Sequence, residues 1–174
     1  QTYAVTKIKF GSTLAASKPS VGDAIVLVVN PRKVAGGGPD SDGDFRELRI
    51  LFVNDAATDV NFSTPAGPWT SRPNVKEAKI NINAPATDSV LEIVTLMRTL
   101  INNELGSTHT ATVGSAEELV ITSDNPGGDG KWEIVGKYEG QGQDNLRCKI
   151  TTVVGASHIS KALSRKPGHG WVQM

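Results

Sequence analysis

Cys148 is the only cysteine in 174 residues, so no intrachain disulfide can form and the chain has no stapled secreted framework. A lone cysteine reads as a small core residue. A catalytic thiolate would need a positioned base, and nothing in the sequence selects one of His109, His158 and His169 for that role. Charge of either sign is not in excess: 18 Lys plus Arg balance 18 Asp plus Glu, which excludes an overall basic field that would draw the chain to nucleic acid or anionic lipid. A chain this neutral is also poorly protected against self-association. Long apolar runs are missing too. The longest, residues 24–29, is far too short to cross a bilayer, and residues 1–10 hold no signal-peptide core, so the expectation is a soluble protein assembled inside a cell.

What is plentiful is glycine and proline, 18 and 9 residues, against only 5% aromatics, a balance that favours short elements joined by many turns. The length suits one domain. Period-two alternation predicts strands over residues 3–10, 47–53, 75–83, 108–113, 118–122, 131–138 and 146–154, and residues 24–29 read as a β-branched strand covered on both faces. Residues 59–62 are a further strand candidate, and residues 123–130 read as a turn cluster. One helix is predicted over 89–105. There Val90, Val94, Met97 and Ile101 recur every three or four residues, Ser89 and Glu92 match a capping box, and Gly106 sits where a left-handed cap would end it. Val94 and Met97 are expected to face the core. The predicted fold is mainly β with one helix (α+β), a β-sandwich or half-barrel flanked by a single α-helix. Residues 1–155 form one β-rich domain with a long Gly- and Asp-rich loop at 32–45, and residues 156–174 form an extended basic tail.

Chemistry is hard to place on this chain. Asp40, Asp42, Asp44 and Glu47 alternate like calcium ligands, but Gly43 stands fourth where a calcium loop needs it sixth, and Glu47 stands eighth where the bidentate acid belongs at twelve. The run at 127–131 lacks the glycine spacing of a phosphate cradle and has no Ser or Thr after Lys131. His158 and His169 have no third ligand at zinc spacing, and no nucleophile elbow or paired catalytic carboxylates can be picked out. The expectation is therefore no catalytic residue, no metal and no cofactor.

The layout from Pro19 to Glu139 resembles that of bacteriophage virion structural proteins. Its markers are Ser20-Val21-Gly22-Asp23-Ala24-Ile25 leading into a strand and Pro85-Ala86-Thr87-Asp88-Ser89-Val90 leading into the single helix. Thr110-Ala111-Thr112-Val113-Gly114-Ser115, Glu118-Leu119-Val120-Ile121-Thr122-Ser123 and the turn Asn125-Pro126-Gly127-Gly128 complete them. In size and element order the chain is most similar to a tail tube protein. The resemblance implies a virion subunit assembled in the host cytoplasm into stacked rings, with other virion proteins as partners. It implies no membrane and no sequence-specific nucleic acid, DNA passing passively through the lumen. In such proteins a loop between early strands reaches the next ring, and residues 32–45 lie where that loop would be. Residues 64–73 and the tail after Gly155 depart from the pattern.

Two alternatives stay open: a head decoration protein of a phage capsid, and a ligand-binding β-sandwich using Trp69, Trp132 or Trp171. For self-assembly, the candidate subunit contacts are the segments with no core-forming pattern, because ordering backbone opposes folding by roughly 1–2 kcal/mol per residue and a partner must supply what the monomer cannot. They are opposite in sign: Asp40, Asp42 and Asp44 on the loop, Lys161, Arg165 and Lys166 on the tail.

Overall fold

The computed structural model of the chain describes residues 3–11, 18–30, 46–65, 74–83, 89–126, 132–140 and 148–153. In chain order the elements are β1 (Tyr3–Phe10), β2 (Ala24–Val29), β3 (Arg46–Val53), β4 (Val75–Asn81), α1 (Val90–Leu105), β5 (His109–Val113), β6 (Leu119–Pro126), β7 (Ile134–Glu139) and β8 (Cys148–Val153). They build two four-stranded sheets, ordered β5-β6-β1-β8 and β4-β3-β2-β7. The fold is the mainly β, one-helix architecture that the sequence predicts, with the two sheets packed face to face.

Alternation explains which residues meet. In β1, Ala4, Thr6, Ile8 and Phe10 turn inward, and β3 does the same with Leu48, Ile50 and Phe52. The rings of Phe10 and Phe52 meet edge to face across the sheets, centroids 5.8 Å apart. Every residue of β2 except Val28 is buried, so this strand is covered on both faces. Pairing is antiparallel throughout except between β3 and β4, which run parallel, with Glu47 opposite Val75.

Helix α1 begins where the capping box puts it. The Glu92 amide donates to Ser89 Oγ and the Ser89 amide donates to the Glu92 carboxylate. Its buried stripe is Val90, Ile93, Val94, Met97, Leu100, Ile101 and Leu105, while Leu91 stays exposed. The stripe lies on β5 and reaches β6 and β4, so the helix closes the side of the sandwich where the outer strands β5 and β4 would otherwise gape. On the opposite side β7 meets β8. Gly136 makes that contact possible: a Cβ there would stand 2.8 Å from Leu27 Cδ2 and 3.0 Å from Ile150 Cγ2.

Four local expectations are corrected. Residues 59–62 are not a strand, although they run beside one. Asp59 N donates to Lys79 O at 2.8 Å, the Lys79 amide donates to Asp59 Oδ2 at 2.8 Å, Asn81 N to Thr58 Oγ1 at 3.0 Å, and Ser63 and Glu77 exchange backbone bonds. The segment thus spends its polar groups covering the free edge of β4. Residues 123–126 are not a turn but the end of β6, held by pairing with His109 and Tyr3. Trp132 precedes β7 and has φ 65°, which breaks the alternation expected with Ile134. Gly106 is right-handed, at φ −61°; glycine is needed there because a Cβ would collide with the Asn102 carbonyl oxygen.

Candidate functional site

Asp40, Asp42, Asp44, Lys161, Arg165 and Lys166 lie outside the described residues, as do His158, His169, Trp69, Trp171 and the 127–131 run. Their points of attachment do not. Residues 31–45 join Asn30, just past the end of β2, to Arg46 at the start of β3, and these ends are adjacent because Val29 pairs with Arg46. Residues 66–73 lead toward Val75, one register step away opposite Glu47. Residues 127–131 run from Pro126 toward Ile134, which pairs with Val29. The stretch from 154 onward follows Val153, which pairs with Val5 beside Tyr3. The two sheets are aligned at this point, since Thr6 and Thr152 both donate their hydroxyls to Ile134 O at 2.7 Å. Both segments singled out for assembly therefore attach at the same end of the sandwich.

That end carries two polar clusters, the first half-buried and the second buried. In the first, Glu104 near the close of α1 accepts from Arg46 Nη1 at 2.6 Å and from Lys76 Nζ at 3.1 Å, its side chain only 9% exposed. Arg46 and Lys76 lie two residues before the inward residues Leu48 and Ala78 and share their face, so the end of that face on each strand is a cation meeting a helix carboxylate.

The second cluster centres on His109, only 2% exposed. A carbonyl can only accept, so His109 Nε2 carries the proton it donates to Trp132 O at 2.9 Å, and in the neutral ring Nδ1 accepts from Thr108 Oγ1 at 2.8 Å. Burial holds the imidazole pKa below its ordinary value of 6.5, opposed by the bond to Trp132 and by the charge of Asp124. The Trp132 amide donates in turn to Asn30 Oδ1, and the Asn30 amide to Glu133 O at 2.8 Å. Asn30 and Trp132 both take left-handed backbone, at φ 55° and 65°, a region that asparagine enters readily but that a bulky tryptophan keeps only where neighbours hold it. The cluster is a latch tying the close of α1, the exit of β2 and the start of β7. It fixes the roots of the 31–45 and 127–131 segments.

At the other end, Asp23 is 1% exposed, accepting from the Tyr138 hydroxyl and from the Ser20 amide at 3.0 Å. Gly140 lies against that carboxylate so closely that a Cβ would overlap it. Beside β4, a cleft of about 380 Å³ is lined by Ala56, Asp59, Ser63, Pro65, Glu77 and Lys79. Cys148 is buried, as a core cysteine should be. Trp132 and His109 meet edge to face, ring centroids 6.1 Å apart. Among the described residues no three His, Cys, Asp or Glu side chains gather as metal ligands.

Neither Glu104 nor the pairing of His109 with Trp132 was legible in spacing, because the partners lie 58 and 23 residues apart for Arg46–Glu104 and His109–Trp132. The available signal was weaker: inward positions of strands occupied by Arg46, Lys76 and His109. Compared with known protein families, curated proteins and solved structures, the chain matches none.

Proposed function

We propose that the chain is a self-assembling structural subunit of a bacteriophage particle, most like a tail tube protein forming stacked rings. The observation that carries this reading is the common root of the segments that lack a core-forming pattern. The acidic 31–45 segment and the basic stretch after Val153 leave the sandwich at one end, where a latch and an ion cluster hold the roots of the first and pairing with β1 holds the root of the second. A firm core with oppositely charged appendages at one end suits neighbours standing side by side, each offering its acid segment to the next copy's basic one.

The test is sedimentation velocity with negative-stain microscopy of the full chain at low and high salt. Rings or tubes with a central lumen, dissociating as salt rises, are expected. A chain cut after Gly155 should keep its circular dichroism and melting profile but lose the large particles. A full chain that stays small at every salt concentration overturns the reading, and so does a truncated chain that builds the same particles.

A further inference from the structure

On the helix side of the sandwich the strand edges are already met. Residues 58–63 cover β4, as described above. On β5 the Asn102 side-chain amide imitates a neighbouring strand: its Nδ2 donates to Ala111 O at 3.0 Å and its Oδ1 accepts from Ala111 N at 2.8 Å. Charge without a partner lies elsewhere, on the outer face of the β5-β6-β1-β8 sheet.

Alternation sends Lys7 and Lys9 of β1 and Lys149 of β8 out of that face, since Ile8, Phe10 and Cys148 turn inward. Register puts Lys9 directly opposite Lys149, and Lys7 opposite Thr151. Like charges facing each other across adjacent strands oppose folding rather than assist it. Among the described residues no carboxylate pairs with Lys9 or Lys149, and Lys7 meets Glu118 only at 3.8 Å, its own side chain 52% exposed. Asp124 stands at the other end of the face, accepting from Thr110 Oγ1 at 2.8 Å. Three neighbouring cations are thus held on a paired pair of strands with one loosely placed carboxylate beside them.

We propose that Lys7, Lys9 and Lys149 form the receiving surface for the Asp40–Asp44 stretch of a second copy of this chain. Sign and spacing both fit. Asp40, Asp42 and Asp44 alternate in the sequence, and alternate residues of an extended chain stand about 7 Å apart on one side, which is also the step from Lys7 to Lys9. The donor cannot be the same copy. Phe10 meets Phe52 across the sheets, and Phe52 stands six residues along β3 from Arg46, so Lys9 lies about 20 Å from Arg46 along the strands and a sheet spacing of about 10 Å beyond it, pointing away. Asp44 precedes Arg46 by two residues, which span at most about 7 Å. Donor and receiver are different patches, so the contact is heterologous and every copy carries one of each. This inference rests on the self-assembly reading, and it adds a receiver on the folded sandwich to the basic stretch after Val153, which leaves the same strand β8.

Unlabelled and heavy-isotope-labelled full chains, mixed at high salt and dialysed to low salt, should give carbodiimide cross-links in mixed-isotope form that join peptides holding Asp40, Asp42 or Asp44 to peptides holding Lys7, Lys9 or Lys149. Lys7 and Lys149 are exposed, so the double variant Lys7→Glu, Lys149→Glu should keep the wild-type melting profile while losing the large particles. The triple variant Asp40→Lys, Asp42→Lys, Asp44→Lys should lose them too, and a chain carrying all five changes should regain them. Cross-links confined to single-isotope pairs, no such cross-links while particles form, or reversed chains that assemble like the wild type overturn the pairing and leave the self-assembly reading standing. A lysine variant that still assembles but no longer binds short DNA makes the face a site for a free polyanion, and the pairing falls. If the wild type is a monomer at every salt concentration, both fall.

Discussion

Gly136→Ala probes the seam where the sheets converge, and its magnitude can be worked from the contacts. The new methyl would stand 2.8 Å from Leu27 Cδ2, 3.0 Å from Ile150 Cγ2 and 3.3 Å from Ile150 Cδ1, whereas carbon pairs settle at about 3.5–4.0 Å. Leu27 is fully buried and cannot retreat; Ile150 is partly buried and can. Overpacking of this kind costs about 1–3 kcal/mol. Replacing glycine also restricts the unfolded chain, which returns about 0.4–1 kcal/mol because Gly136 does not need left-handed backbone. The net expectation is destabilisation by about 1–2 kcal/mol, read as a fall of about 0.5–1 M in the urea midpoint with an unchanged slope. Ile150→Ala costs about 2–5 kcal/mol alone but removes both Cγ2 and Cδ1, the atoms of that side chain that the methyl strikes. The double variant should therefore be more stable than the sum of the singles by at least about 0.5 kcal/mol. A Gly136→Ala variant as stable as the wild type, or strict additivity in the pair, would refute the claim that close approach of the sheets demands glycine here.

Val94→Ala removes a fully buried side chain of α1 and should cost about 1–3 kcal/mol, whereas Leu91→Ala on the exposed face should stay within about 0.5 kcal/mol; equilibrium urea unfolding separates them. Asn102→Ala strips the cover from Ala111 and should destabilise by about 1–3 kcal/mol in the same assay, with turbidity on heating rising as the β5 edge is bared. For His109 the folded pKa lies below the unfolded 6.5, so its contribution is complete above that value and is lost as pH falls through the folded pKa. Unfolding free energies at about pH 7.5 and 5.5 should differ, and His109→Gln should shrink the difference; an unchanged difference would remove His109 as its source.

The sequence alone determined the helix and most of the strands, because each signal is local. A period of 3.6 with a capping box at Ser89 and Glu92 can be satisfied by little except α1, and alternation in β1 and β3 chose the buried face before any partner was known. The same periodicities say nothing about which strand pairs with which. Residues 59–62 have a strand-like composition, yet tertiary structure made them an edge cover, since Asp59 and Thr58 could bond β4 only once β4 lay beside them. Trp132 was bent out of the strand pattern by bonds to Asn30 and His109, distant in sequence and adjacent in space. Glu104 shows the limit most plainly: on its helix it is one polar residue among several, and only the reach of α1 from β5 to β4 brought Arg46 and Lys76 to its carboxylate. Local chain stiffness and hydrophobic period are written in neighbouring residues. Strand order, edge protection and the meeting of Glu104 with its two cations depend on contacts between residues far apart in the chain, and folding alone decided them.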